Sequence, residues 1–379
     1  MIRVLQFADL VNRHDFIDVI VQRADSRRFE LGVCVRTPWC NIASPVYSKD
    51  TPRWILDGLS RREVPRAVWQ LGGILRKWKA DIVHCHHYEQ AVIGWLATRM
   101  YARTRLVVGR HYSDAIYRSS AGLKRKTLLA VEQTINRAAA RIIVPSDYIR
   151  EILTRWQRVR PNKVEKIPYG FVPEKYAPPP PDQVQRLRQE FRMEGRFVLG
   201  NFSRLHEEKG QRFLIEAVAA LRARHPRLAL LIVGEGPERP ALEHLIRDEG
   251  LGETICLLGW RQDAMTLMAA IDAVVQPTLQ EAFSQVMVEA LWMGKPLVIT
   301  DVSGAPDIIA DGRNGLLVPK GDAAALAAAI DRLAGDRDLG GRLGIAGRAY
   351  VETYLEVSRI IPKYEDAYLH AMGARSGGE

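Results

Sequence analysis

The chain has 379 residues, 47% hydrophobic and 26% charged, with a formal net charge of +10. That length points to two ordinary α/β domains, each burying its own core, rather than to one. No apolar run approaches the roughly 20 residues that span a bilayer, which excludes an integral helical membrane protein, and the cysteines at 34, 40, 85 and 256 fit no metal or redox spacing, which leaves them as packing thiols.

Ile2 to Phe7 reads as a first strand, because it lacks the apolar core and cleavage site of a signal peptide, and the chain is expected in the cytosol. Further strands are expected at Leu31 to Val35, Ile82 to Cys85, Leu106 to Val108, Ile142 to Val144 and Val164 to Ile167. Between them, Val64 to Trp78 repeats apolar residues at helical spacing through Val68, Leu71 and Leu75. Short apolar runs alternating with amphipathic stretches imply parallel strands with helical crossovers. Residues 1–170 carry 30 Lys and Arg against 15 Asp and Glu, whereas residues 171–379 carry 24 against 29. The basic front half favours an anionic partner such as a lipid headgroup surface or a phosphorylated acceptor, against the plainer reading of a solvated arginine-rich surface.

A turn-rich stretch ending in Pro178-Pro179-Pro180-Pro181 reads as a linker over 171–181. The alternation restarts with Phe197 to Phe202, Leu228 to Val233, Ile255 to Leu258, Ala273 to Val275, Leu297 to Ile299 and Leu316 to Val318, so 182–356 is a second doubly wound domain. Ligands of such sheets lie at the carboxyl ends of the strands, and two facing domains would enclose a cleft. Tyr350 to His370 reads as helix kinked or divided at Pro362, which suits a segment, 357–379, returning to the first domain.

The densest constellation runs from Pro277 to Ala290. Ser284 can cap a helix beginning near Gln285, placing free N–H groups and the positive dipole end where a phosphate would bind. Glu281 precedes the helix, and Glu289 lies five residues beyond Ser284, about 7.5 Å along its axis. The two carboxylates can serve opposite ends of a nucleotide sugar; a surface glutamate with a helix glutamate is the plain alternative.

This pattern resembles the Glu-x7-Glu signature of the retaining family 4 glycosyltransferases, and the resemblance continues through Gly294-Lys295-Pro296, Gly304-Ala305-Pro306-Asp307 and Asp311 to Pro319. It implies the GT-B fold, an α/β architecture of two facing Rossmann-like domains, and transfer of a hexosyl group from a nucleotide-diphosphate sugar to a hydroxyl acceptor. It further implies retention, no cofactor and no metal. Arg204 and Lys209 inherit the diphosphate, Gly234 belongs to the family's Gly-x-Gly turn, and Phe283, Ser284, Gln285 and Glu289 belong to the donor site. Trp260 lies in the segment that contacts the base through its backbone, with a buried tryptophan as the ordinary alternative. His111 matches the histidine facing the donor sugar, and with Glu281 it forms the catalytic pair. His84, His86 and His87 crowd a strand end without a fourth metal ligand; His86 reads equally as an acceptor contact or a structural residue. The family's glycine-rich first loop is absent, and Asn12, Arg13 and His14 are the acceptor candidates in its place.

The acceptor expected on this reading is a lipid or cell-envelope glycan precursor, met at the inner face of an anionic membrane. Arg61, Arg62, Arg76, Lys77, Lys79, Arg118 and Lys124 to Lys126 supply cations, and Trp69 and Trp78 are interface candidates, each also a plain core residue. An epimerase or phosphorylase on the same architecture, or an inactive sugar-nucleotide-binding protein, is the rival reading. No nucleic-acid module accompanies the charge.

Overall fold

The computed structural model describes residues 1–8, 15–36, 50–56, 61–111 and 122–373. Its chain divides into two compact units, residues 1–170 with 357–379, and residues 171–356.

The first unit is built on seven parallel strands: β1 (Ile2–Ala8), β2 (Phe29–Val35), β3 (Arg53–Ile55), β4 (Ile82–His86), β5 (Arg105–Gly109), β6 (Arg141–Val144) and β7 (Val164–Lys166). They lie in the order β3-β2-β1-β4-β5-β6-β7. The order reverses direction between β1 and β4, which makes their carboxyl ends the ligand crevice of such a sheet. Only β3 departs from the expected set; three residues with an arginine first form no apolar run, and its place as an edge strand comes from pairing with β2. The helix Val64–Trp78 buries Ala67, Leu71 and Leu75. It stops at Lys79, which adopts φ 55° and donates its N–H to Arg76 and Leu75 carbonyls, while Arg76 and Lys77 sit favourably in the last turn.

The second unit has six parallel strands, β8 (Phe197–Phe202), β9 (Leu228–Val233), β10 (Ile255–Gly259), β11 (Ala273–Gln276), β12 (Leu297–Thr300) and β13 (Leu316–Val318), ordered β10-β9-β8-β11-β12-β13. Its reversal falls between β8 and β11. Helices cover both faces of a parallel sheet, so β9 is buried at every residue and carries no polar side chain.

Two segments differ from expectation. Within the stretch 171–181, Phe171 and Tyr176 pack on the second unit: Phe171 stacks on Tyr176 at 4.7 Å and meets Trp292 at 4.8 Å. Pro181 opens the helix Pro181–Glu190, where its missing N–H costs nothing. Near the C-terminus the helix breaks at Glu356 (φ −57°, ψ 138°) and not at Pro362, which lies inside the helix Val357–Met372. That last helix packs on β5, β6 and the helix Asp15–Arg23 of the first unit, where Glu365 accepts the Asp25 N–H at 2.8 Å and pairs with Arg28 at 3.6 Å.

Cys34 and Cys85 are core residues, as their packing role requires, but Cys256 is exposed because it lies on the edge strand β10; Cys40 lies outside the described residues.

Candidate active site

At the β8/β11 reversal, Asn201 donates to the Val275 carbonyl at 2.8 Å and accepts from Ser203 at 3.0 Å. Gln211 donates to Ser203 Oγ and to the Arg204 carbonyl, each at 2.9 Å. These buried amides tie the exits of the two strands together and fix where Arg204 starts. Two glycines let neighbouring backbone press against these exits. Gly234 has φ 140°, and a Cβ there would fall 2.0 Å from the Ser203 carbonyl oxygen; Gly210 has φ 65°, and a Cβ would fall 2.2 Å from the Pro277 oxygen. Leu279 N–H donates to the Glu208 carbonyl at 2.8 Å, so the loop after β11 lies along the turn Glu207–Lys209.

That closure brings together residues 72 apart in sequence. Lys209 Nζ donates to Glu281 Oε1 at 3.1 Å, with both side chains largely buried. Burial pushes the Glu281 carboxyl above the usual carboxylate range, offset in part by the Lys209 charge and hydrogen bond. Arg204 projects outward, 73% exposed, and pairs with Glu208 at 3.2 Å. Ser303 Oγ donates to the Ala282 carbonyl at 2.7 Å, holding the Glu281 loop from below. Ser284 caps the helix Gln285–Trp292, accepting the Met287 N–H at 3.2 Å. Phe283 and Ser284 are buried and Gln285 half-buried, so this helix start presents backbone N–H groups beside the Lys209–Glu281 pair.

Glu289 accepts a hydrogen bond from the Tyr176 hydroxyl at 3.1 Å, and Trp292 Nε1 donates to the Tyr176 carbonyl at 3.1 Å. Tyr176 escaped sequence reasoning; the only signal was an aromatic run, Tyr169, Phe171 and Tyr176, inside a stretch that composition marks as a linker. Trp260 is 73% exposed, which removes the buried alternative. It follows Gly259 (φ 74°) at the end of β10, and Arg261 beside it is held by Asp263 at 2.7 Å.

In the first unit, β4 places His84 and His86 on one face, because side chains two apart point the same way, and Cys85 on the other. Gln6 lies in register with His84 on the adjoining β1. All three are fully buried. His86 is 3.0 Å from His111 Nε2 through Nδ1 and 2.9 Å from Gln6 Oε1 through Nε2. Gln6 Nε2 donates to the Tyr368 hydroxyl at 2.8 Å, which lies 3.0 Å from His84 Nδ1, and the Tyr169 hydroxyl lies 2.8 Å from His111 Nδ1. Burial pushes His84 down to about 3. His86 therefore stands behind His111 with both nitrogens engaged. His87, at φ 69°, turns the chain from β4 into the helix Tyr88–Met100 and sets its ring centroid 5.7 Å from that of His111. Asn12, Arg13 and His14 lie outside the described residues.

Residues 196–336 match the family described as glycosyl transferases group 1, and residues 11–175 match Glycosyltransferase Family 4. The EpsD protein of Bacillus subtilis (strain 168), a glycosyltransferase by name, is 30% identical over 311 residues, 79% of each chain. The D-inositol 3-phosphate glycosyltransferase of Streptomyces scabiei (strain 87.22) is 25% identical over 367 residues, 89% of this chain and 82% of that one. Among solved structures, Anabaena Alr3699/HepE in complex with UDP-glucose superposes with a TM-score of 0.80 at 23% identity, over 97% of this chain and 99% of the other. A sucrose-phosphate synthase from Thermosynechococcus elongatus superposes with 0.81 at 22% identity, over 99% and 100%. Likeness at that level carries the GT-B fold.

Proposed function

This chain belongs to the family 4 glycosyltransferases and is a hexosyltransferase of GT-B fold, and from that premise we propose that it moves a hexosyl group from a nucleotide-diphosphate sugar to a hydroxyl acceptor with retention and without a metal. The observation that carries the proposal is the Lys209–Glu281 pair beside the capped start of Gln285–Trp292, at the strand reversal of the second sheet. Arg204, Lys209 and the helix N–H groups offer positive charge to a departing diphosphate, which is the service a divalent cation performs elsewhere. Within the second unit Glu281 orients the sugar and Glu289 the nucleoside, His111 keeps the role that the family resemblance implies for it, and the departing phosphate takes the proton of the incoming hydroxyl. The HepE structures hold UDP and UDP-glucose, which makes uridine-diphosphate sugars the first donors to test.

Turnover of a panel of nucleotide sugars, with and without total lipid extract, tests the assignment. Transfer to an acceptor, with the anomeric configuration of the donor kept and with rates unchanged by EDTA, is the expected result. A sugar or sugar phosphate formed with no acceptor present would replace it by the epimerase or phosphorylase reading.

The acceptor is proposed to be lipid-linked, reached at an anionic surface by the helix Val64–Trp78. No helix among the described residues is long and apolar enough to cross a membrane. On this helix Trp69 is 70% exposed beside Arg66, Arg76 and Lys77, while Trp78, its last residue, packs its ring 5.2 Å from that of Trp54. An apolar ring rimmed by cations suits a headgroup region. Flotation with anionic but not neutral liposomes is expected, and failure with both ends the idea.

A further inference from the structure

Three imidazoles of the first unit, His84, His86 and His111, belong to one continuous series. From the half-buried end inward it runs Tyr169, His111, His86, Gln6, Tyr368, His84, with every step between 2.8 and 3.0 Å. Its ends belong to the segment after β7 and to β4, and it passes through the C-terminal helix. Gln6 gives the series a direction. Its amide has one donor end and one acceptor end, and these face Tyr368 and His86 respectively.

The proton positions follow by elimination. His86 Nε2 meets the Gln6 oxygen, so Nε2 carries a hydrogen, and neutral His86 is left with a bare Nδ1. His111 must then donate from Nε2 to His86, which leaves its own Nδ1 bare, and the Tyr169 hydroxyl donates into it. On the other side, Tyr368 accepts from the amide and can give its single hydrogen to His84 Nδ1. His84 Nε2 has no hydrogen-bond partner and is buried. Protonating His86 would set two N–H groups against each other at 3.0 Å, so the series resists charge as well as rotation.

We propose that Gln6, Tyr368 and His86 are positioning residues that lock His111 as a neutral Nε2–H imidazole, so that its Nδ1 edge always accepts a hydrogen from a hydroxyl and never donates one. The hydroxyl there is that of Tyr169, and a sugar hydroxyl is the class of group that can exchange with it. The kinetic consequence rests on the transferase reading; the tautomers do not. Among the described residues, groups facing these imidazoles include the Tyr364 ring, the His87 ring, and Arg110 beside His111, whose charge is held by buried Glu132 at 3.4 Å.

The test is imidazole nitrogen NMR on the full chain, followed by the isosteric variant Gln6→Glu. In the parent protein His86 and His111 are expected as Nε2–H tautomers at about pH 8; a proton on Nδ1 of either overturns the inference. A carboxylate at position 6 has no donor, so it accepts from both sides and favours a charged His86. His111 is then driven to the Nδ1–H form, and kcat falls ~10-fold or more with a new ionisation between about pH 5 and 8. An unchanged His111 tautomer and pH profile in Gln6→Glu, even with a lowered Tm, would make Gln6 a structural residue and overturn the proposal. Should Gln6→Glu fail to fold, the parent tautomers still decide. Uniform Nε2–H tautomers in a protein without transferase activity would support the series while ending the transferase reading.

Discussion

The two sheets share the order of their first six strands, yet the strand reversals at their centres are furnished in opposite ways. Between β8 and β11 the residues are charged: Lys209 against Glu281, Arg204 projecting, and an open helix start beside them. Between β1 and β4 the residues are neutral and hydrogen-bonded to one another, and the last helix of the chain covers them. A parallel sheet supplies only a crevice at its carboxyl edge; what the crevice does depends on a few side chains whose burial decides whether they carry charge. Where Lys209 donates to it, the Glu281 carboxyl keeps a cationic partner that offsets part of its burial. Where an aromatic helix seals the face, a histidine gives up its charge.

The comparison is broken most directly at Glu281. Glu281→Ala is expected to lower kcat by about 1000-fold or more with little loss of Tm, measured as product formed from a nucleotide-diphosphate sugar. Turnover within a few-fold of the parent would remove the charged crevice from the chemistry.

The next largest effect belongs to the neutral side. Burial holds His84 down to about 3 against an ordinary 6.5, so below 6.5 the unfolded chain binds a proton that the folded chain refuses. Stability is therefore complete above about pH 6.5 and lost as pH falls toward 3, by up to ~4 kcal/mol. Urea midpoints followed by fluorescence between pH 7 and 4.5 should show that slope, and His84→Phe should flatten it. Parallel slopes in the two proteins would mean that another group carries the acid sensitivity.

Lys209→Met sharpens the charged side, since it removes the cation while keeping most of the stem. Affinity for UDP by calorimetry is expected to fall ~10- to 100-fold; unchanged affinity would move the diphosphate away from Lys209. The smallest effect is that of Ser284→Ala, which deprives the Met287 N–H of its cap and should cost ~1 kcal/mol of stability. A much larger loss of donor affinity than of stability in that variant would show the helix start to be part of the binding site.

Much of the charged crevice was legible because its parts are local. A serine before an apolar helix is a cap wherever it stands, and Glu281, Ser284 and Glu289 are close in sequence. Twelve of the thirteen strands were legible for a similar reason, since strands buried on both faces are continuous apolar runs; the exception, Arg53–Ile55, exists only because β2 offers it an edge. The neutral crevice was not legible. The His-x-His spacing on β4 announced two imidazoles on one face, but their partners are Gln6 at the start of the chain and Tyr368 near its end, 362 residues apart. Nothing in composition marks a lone glutamine as the residue that orients two histidines. Likewise Tyr176 sits in a stretch read as a linker, and its hold on Glu289 depends on Phe171 and Trp292 packing it against a helix more than a hundred residues away.

By itself, then, the sequence determined the class of sheet, the restart of the α/β pattern after the prolines, the family, and the capped helix start with its two carboxylates, because each depends on residues within a few positions of one another. Tertiary structure alone decided that Lys209 meets Glu281, that His86 stands behind His111, that the last helix breaks at Glu356, and that Gln6 and Tyr368 meet the imidazoles of β4. Those outcomes depend on which distant groups exclude water from a side chain and which hydrogen-bond partner remains once they have done so.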